Sequence, residues 1–148
     1  MKLTLKGSIA IIILFLFSNC SVKRKAADLP KEHANLTGTY WKLVEVAGQP
    51  IGSVNNKEPH IQLNDELKRL TGSGGCNNLS GPYVLKEPGR ISFSQIISTK
   101  MACNGMETEN AMLDALTHTD SFAIKGDTLN LFRARMAPLA RFIAVHQK

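Results

Sequence analysis

Residues 71–83 read TGSGGCNNLSGPY, with four glycines, two asparagines and two serines around a single cysteine. A run of this kind serves either backbone geometry or a ligand. The phosphate readings fail on spacing. A dinucleotide fingerprint needs glycine at its first, third and sixth places; counted from Gly72, Gly74 fits but Asn77 stands at the sixth. A P-loop needs Gly-Lys-Ser/Thr, and here Gly75 is followed by Cys76 and Asn77. The geometric reading is coherent. Gly72, Gly74 and Gly75 permit a tight turn where a strand ends, and Asn77 and Asn78 can tie that turn by side-chain to backbone hydrogen bonds.

On both sides of this loop, short alternating apolar runs are separated by turn residues at intervals of about 8 to 12 positions, the pattern of an antiparallel sandwich or barrel. The runs are 40–46, 60–63, 68–72, 81–85, 90–93 (continuing towards Ile96 and Ile97), 122–124, 128–132 and 140–145. One segment breaks the period. Over 104–119, Met106, Met112, Leu113 and Leu116 fall on one helical face. Asn104 and Glu107 imitate a capping box, Glu107 and Glu109 suit a helix N-terminus, and His118 suits its C-terminus. The expected fold is therefore mainly β with one helix, an antiparallel barrel-like domain of about eight strands. The helix is expected after the sixth strand, covering an open end of the barrel.

Upstream lies a different kind of sequence. Lys2 and Lys6 precede an unbroken apolar run, Ile9 to Phe17, followed by Ser18, Asn19 and Cys20. The run is about half of what a spanning helix needs and fits the h-region of a secretory signal. Cys20 at its end resembles a bacterial lipoprotein lipobox, with Phe17 and Asn19 where that motif usually carries Leu and a small residue. That resemblance implies cleavage before Cys20 and acylation of its thiol. Residues 1–19 then read as a lipoprotein signal peptide, 20–34 as a polar tether and 35–148 as the folded domain. The cluster Lys23, Arg24, Lys25 either adds attraction to anionic headgroups or simply solvates the tether.

Composition narrows the chemistry. Eighteen basic residues face twelve acidic ones. Two of the basic residues belong to the signal and four to the tether, and the rest are scattered among few aromatics, so no nucleic-acid surface is indicated. With Cys20 assigned to lipid, the even pair Cys76 and Cys103 in an exported chain suggests one disulfide. No histidine is spaced to activate either cysteine as a nucleophile. Soft metal binding through Cys76, Cys103, Met101 and Met106 is an alternative, and requires reduced thiols. Asp65-Glu66 and Glu107/Glu109 read most simply as a turn and a helix start.

Four ordered segments then resemble a known family. Leu36 to Leu43 is similar to the L-x-G-x-x-W-x-L opening of META domains, and includes Trp41. Gly74 to Tyr83 resembles that family's G-C-N-x-x-x-G-x-Y signature through Gly75, Cys76, Asn77, Gly81 and Tyr83. Ser98 to Cys103 is similar to its S-T-x-M-A-C segment through Thr99 and Met101, and Gly126 to Leu131 to its G-x-x-L-x-L strand. The resemblance implies an HslJ-like domain: a small barrel with one helix, often on envelope lipoproteins and linked to heat shock and antibiotic tolerance. It brings no catalytic residues and no cofactor. The resulting expectation is a non-enzymatic envelope lipoprotein, held on a membrane through Cys20 and binding a protein or small-molecule partner. The residues after Cys20 place it by default on the outer membrane, facing the periplasm. A small-molecule carrier using the barrel interior is the other reading.

Overall fold

The computed structural model describes residues 34–86 and 88–146. The signal segment, Cys20 and the tether up to residue 33 lie outside the described residues. Strands β1 (Tyr40–Val46), β2 (Gln49–Pro50), β3 (His60–Asn64), β4 (Arg69–Ser73), β5 (Asn78–Lys86), β6 (Arg90–Phe93) and β7 (Ile97–Ser98) precede the single helix α1 (Met106–His118). Strands β8 (Ser121–Lys125), β9 (Thr128–Phe132) and β10 (Ala140–Val145) follow it.

Eight of these strands close a circuit, β1-β3-β4-β5-β6-β8-β9-β10 and back to β1, every pair antiparallel. The expected eight-stranded barrel with one helix is the fold. Five barrel strands precede the helix rather than six, because β7, which resumes the run from Arg90 towards Ile97, stays off the circuit. Gln95 takes φ 48° between β6 and β7, and the two-residue β7 resumes pairing with β5 through Leu79 and Ser80.

Alternation places one face of each strand inward. Trp41 and Leu43 of β1, Ile61 and Leu63 of β3, Leu129 and Leu131 of β9 and Phe142 of β10 are all buried. In β1 the register against β10 slips between Leu43 and Glu45, so Val46 rather than Glu45 turns inward. These large side chains, with Tyr83, Leu70 and Leu79, occupy the barrel interior, so the carrier reading loses its expected ligand space. α1 packs its Met112, Ala115 and Leu116 into the same core, against β1, β6 and β9. Thr119 closes the helix through Oγ1 to Ala115 O at 2.7 Å.

The helix begins differently from the sequence expectation. No side chain caps it, and the N-cap residue is Gly105 in the left-handed region at φ 77°. Asn104 instead presents its carbonyl to Asn55 Nδ2 at 2.8 Å. The chain reaches the helix from the disulfide-bonded Cys103 through Asn104 and Gly105.

Candidate functional site

The β4–β5 loop, residues 74–77, meets two other segments at one end of the barrel: the strap 99–103 and the first turns of α1. Cys76 and Cys103 form a disulfide with Cα atoms 6.0 Å apart. Beside it, Asn77 is the centre of a closed polar network. Its backbone N–H donates to Glu109 Oε2 at 2.7 Å and its Nδ2 donates to Glu109 Oε1 at 2.9 Å. The same side chain accepts at Oδ1 from Thr99 Oγ1 and from the Met101 backbone N–H, both at 2.8 Å, and donates to Met101 O at 3.2 Å. Asn77 and Glu109 are each 1% exposed. Both carboxylate oxygens accept, which matches the acceptor-only inventory of an ionised carboxyl. Among the described residues no buried side-chain polar atom lacks a partner.

This network revises the reading of the opening loop. Gly75 does need its backbone freedom, at φ 99°. Gly74 is glycine for a different reason: a Cβ there would lie 2.8 Å from Glu109 Cβ and 2.9 Å from its Oε2. Asn77 ties the strap and the helix rather than its own turn. Asn78 belongs to β5, where its backbone N–H meets Thr99 Oγ1 at 3.2 Å. Glu109, which the sequence presents as a helix-start acid, is the buried partner of this network. Its signal was present, since 109, 112 and 116 share one helical face and the last two are core.

The remaining signature residues also serve the scaffold. Trp41, fully buried, donates its indole N–H to Leu36 O at 2.9 Å. Gly81 lets β5 pass close to the 94–96 kink, where a Cβ would meet Ile96 Cα at 2.9 Å. Tyr83 donates its phenol to Asn64 O at 3.1 Å. Burial foremost, then the Asp65 carboxylate, raises the Tyr83 pKa above 10.0. A raised phenol pKa means the folded state holds the proton more tightly. Its contribution is therefore complete below the unfolded value and is lost as pH rises through the folded one. Tyr83→Phe is expected to cost about 1 kcal/mol at neutral pH and to flatten the alkaline fall in stability, read by thermal melts on both sides of pH 10.

The disulfide takes both thiols that a soft metal set would use, leaving the thioethers of half-exposed Met101 and of Met106. Among the described residues no group of three or more His, Cys, Asp or Glu side chains is placed to hold a metal ion. His60 stacks on Tyr40 with ring centroids 4.4 Å apart, His118 meets Asp114 and His146 meets Asp127.

A family model, the META domain, matches residues 34–146. The chain belongs to the META domain family. Two solved structures share the META domain's fold. One NMR structure, of a protein from Burkholderia xenovorans, superposes with a TM-score of 0.60 at 23% identity, covering 84% of this chain and 97% of that one. A second NMR structure gives 0.57 at 22% identity, covering 71% and 87%. Among curated proteins, none matches the sequence. Three of the four META signature segments, 36–43, 74–83 and 98–103, thus converge on two internal tasks, while 126–131 leads into and forms most of β9. One is the Asn77–Glu109 lock with its disulfide; the other is the pair of indole and phenol bonds from Trp41 and Tyr83.

Proposed function

We propose that this protein is a lipid-anchored envelope protein whose META domain acts by binding, without catalysing a reaction, in support of stress tolerance. The observation that carries the reading is the Cys76–Cys103 disulfide, since persistent disulfides belong to exported, oxidising compartments. It agrees with the leader at 1–19 and with Cys20 at the end of the apolar run. Binding rather than chemistry is supported by what the signature residues do. Asn77, Glu109, Thr99 and the two cysteines bond to one another, and their polar groups are used inside the fold.

The anchor is tested on the full chain expressed in a bacterial host. Wild type is expected in the membrane fraction, with a mass showing cleavage before Cys20 and added acyl chains. Cys20→Ala, or inhibition of the lipoprotein signal peptidase with globomycin, is expected to leave the unprocessed form. An unchanged mass under both treatments contradicts the anchor.

A further inference from the structure

A concave surface on the outside of the barrel has no part in the lock. A groove of about 520 Å³ runs between segment 37–38 and the β3–β4 hairpin, within the size range of small-ligand clefts. Both of its walls are fixed from inside the barrel by signature residues. The Trp41 indole holds Leu36 O, and the Gly38 backbone N–H adds a bond to Leu63 O at 2.9 Å. On the other side the Tyr83 phenol holds Asn64 O, at the start of the hairpin turn. The two aromatic side chains singled out by the sequence therefore pre-form one groove.

Its floor has a distinct chemistry. Gln62 and Thr71, which line it, are direct partners across β3 and β4, and their neighbours Tyr40 on β1 and Ser80 on β5 extend the outward row of ring, amide and two hydroxyls past its edges. Neighbouring strands lie about 4.8 Å apart, so the row offers polar groups at regular steps. A second groove of about 290 Å³ continues the first, sharing Gly38 and Gln62, and is lined by Tyr40. The stacked His60 braces that ring. Arg69 donates Nε to Ser80 Oγ at 2.8 Å, which leaves its terminal N–H groups for the groove it lines.

We propose that this groove binds a neutral oligosaccharide. Amides and hydroxyls both donate to and accept from a row of sugar hydroxyls, the guanidinium donates to them, and an aromatic ring accommodates the apolar face of a pyranose. Asp65 (paired with Lys68 at 2.6 Å), Glu66 and Arg69 line the same groove, so its charges largely balance and favour a neutral ligand over a polyanion such as a nucleotide. A purely apolar ligand would desolvate the polar row without replacing its hydrogen bonds.

The inference deepens the binding role proposed above and rests on it. The full-length chain in detergent is titrated with chitotetraose and, separately, with cellotetraose, and backbone amide shifts are followed by NMR. At least one sugar is expected to give saturable shifts centred on Gly38, Gln62 and Thr71. The double variant Gln62→Ala/Thr71→Ala is expected to bind about tenfold more weakly with an unchanged melting temperature, while Met136→Ala, exposed between β9 and β10 and away from the groove, binds as wild type. Absence of shifts with both sugars, shifts confined to another face, or an unchanged affinity in the double variant overturns the assignment. An anchored chain that binds neither sugar refutes the groove alone. A chain that binds sugar with an unmodified Cys20 refutes the anchor alone.

Discussion

Asn77→Ala is expected to lower folding stability by roughly 3 kcal/mol, seen as a lower denaturant midpoint with an unchanged slope. The size follows from what the side chain holds. Its Nδ2 satisfies one oxygen of a fully buried carboxylate, and its Oδ1 satisfies Thr99 and the Met101 backbone. Removing it leaves the Glu109 carboxylate with only the backbone donor of residue 77, in a site closed to water. A buried charge that loses a partner costs far more than the net worth of the bond. Gly74→Ala attacks the same lock from the opposite side. Its methyl group occupies the space of the Glu109 side chain, and overpacking of this kind costs about 1 to 3 kcal/mol.

Removing the disulfide is expected to be comparably severe. Cys76 and Cys103 are 27 residues apart, and a closed loop of this size restricts the unfolded chain by about 3.5 kcal/mol. For a domain of this size that corresponds to a fall in melting temperature on the order of 10 °C. Cys76→Ala/Cys103→Ala and chemically reduced wild type should show the same fall. The barrel circuit is hydrogen-bonded independently of the bridge, so the variant should keep its strand spectrum at low temperature. Thiol titration of the oxidised, unfolded wild type should find neither of these cysteines free, and two free thiols there would contradict the assignment.

Much of the barrel could be read in the sequence because a half-buried strand shows itself by alternation. The runs at 40–46, 90–93, 128–132 and 140–145 coincide with β1, β6, β9 and β10. What could not be read depended on partners distant in sequence. Residues 78–80 looked like loop because Asn, Ser and Gly crowd them, yet they are the first residues of β5, paired to β4 and β7. The β1 bulge is set by register against β10, nearly a hundred residues away, and alternation alone misplaces Val46.

The lock shows the same limit more sharply. The disulfide was legible from cysteine count and compartment. Glu109 was legible only in its place on the core face of α1, because an acid in a first helical turn normally satisfies the helix dipole and faces water. Its burial comes from Asn77, which supplies two donors from a loop 32 residues earlier. Likewise, the glycines of 72–75 announced unusual backbone, but only the folded neighbours separate Gly75, which needs its φ, from Gly74, which needs its missing Cβ.

The most direct test of the lock is a double-mutant cycle between Asn77→Ala and Glu109→Ala, measured by denaturant unfolding of both singles, the double and wild type. If the two side chains act as one unit, the double variant should lose much less than the sum of the singles, with a coupling of about 2 kcal/mol. Losses that add to within about 0.5 kcal/mol would show that Asn77 and Glu109 stabilise the domain separately, and would contradict the account.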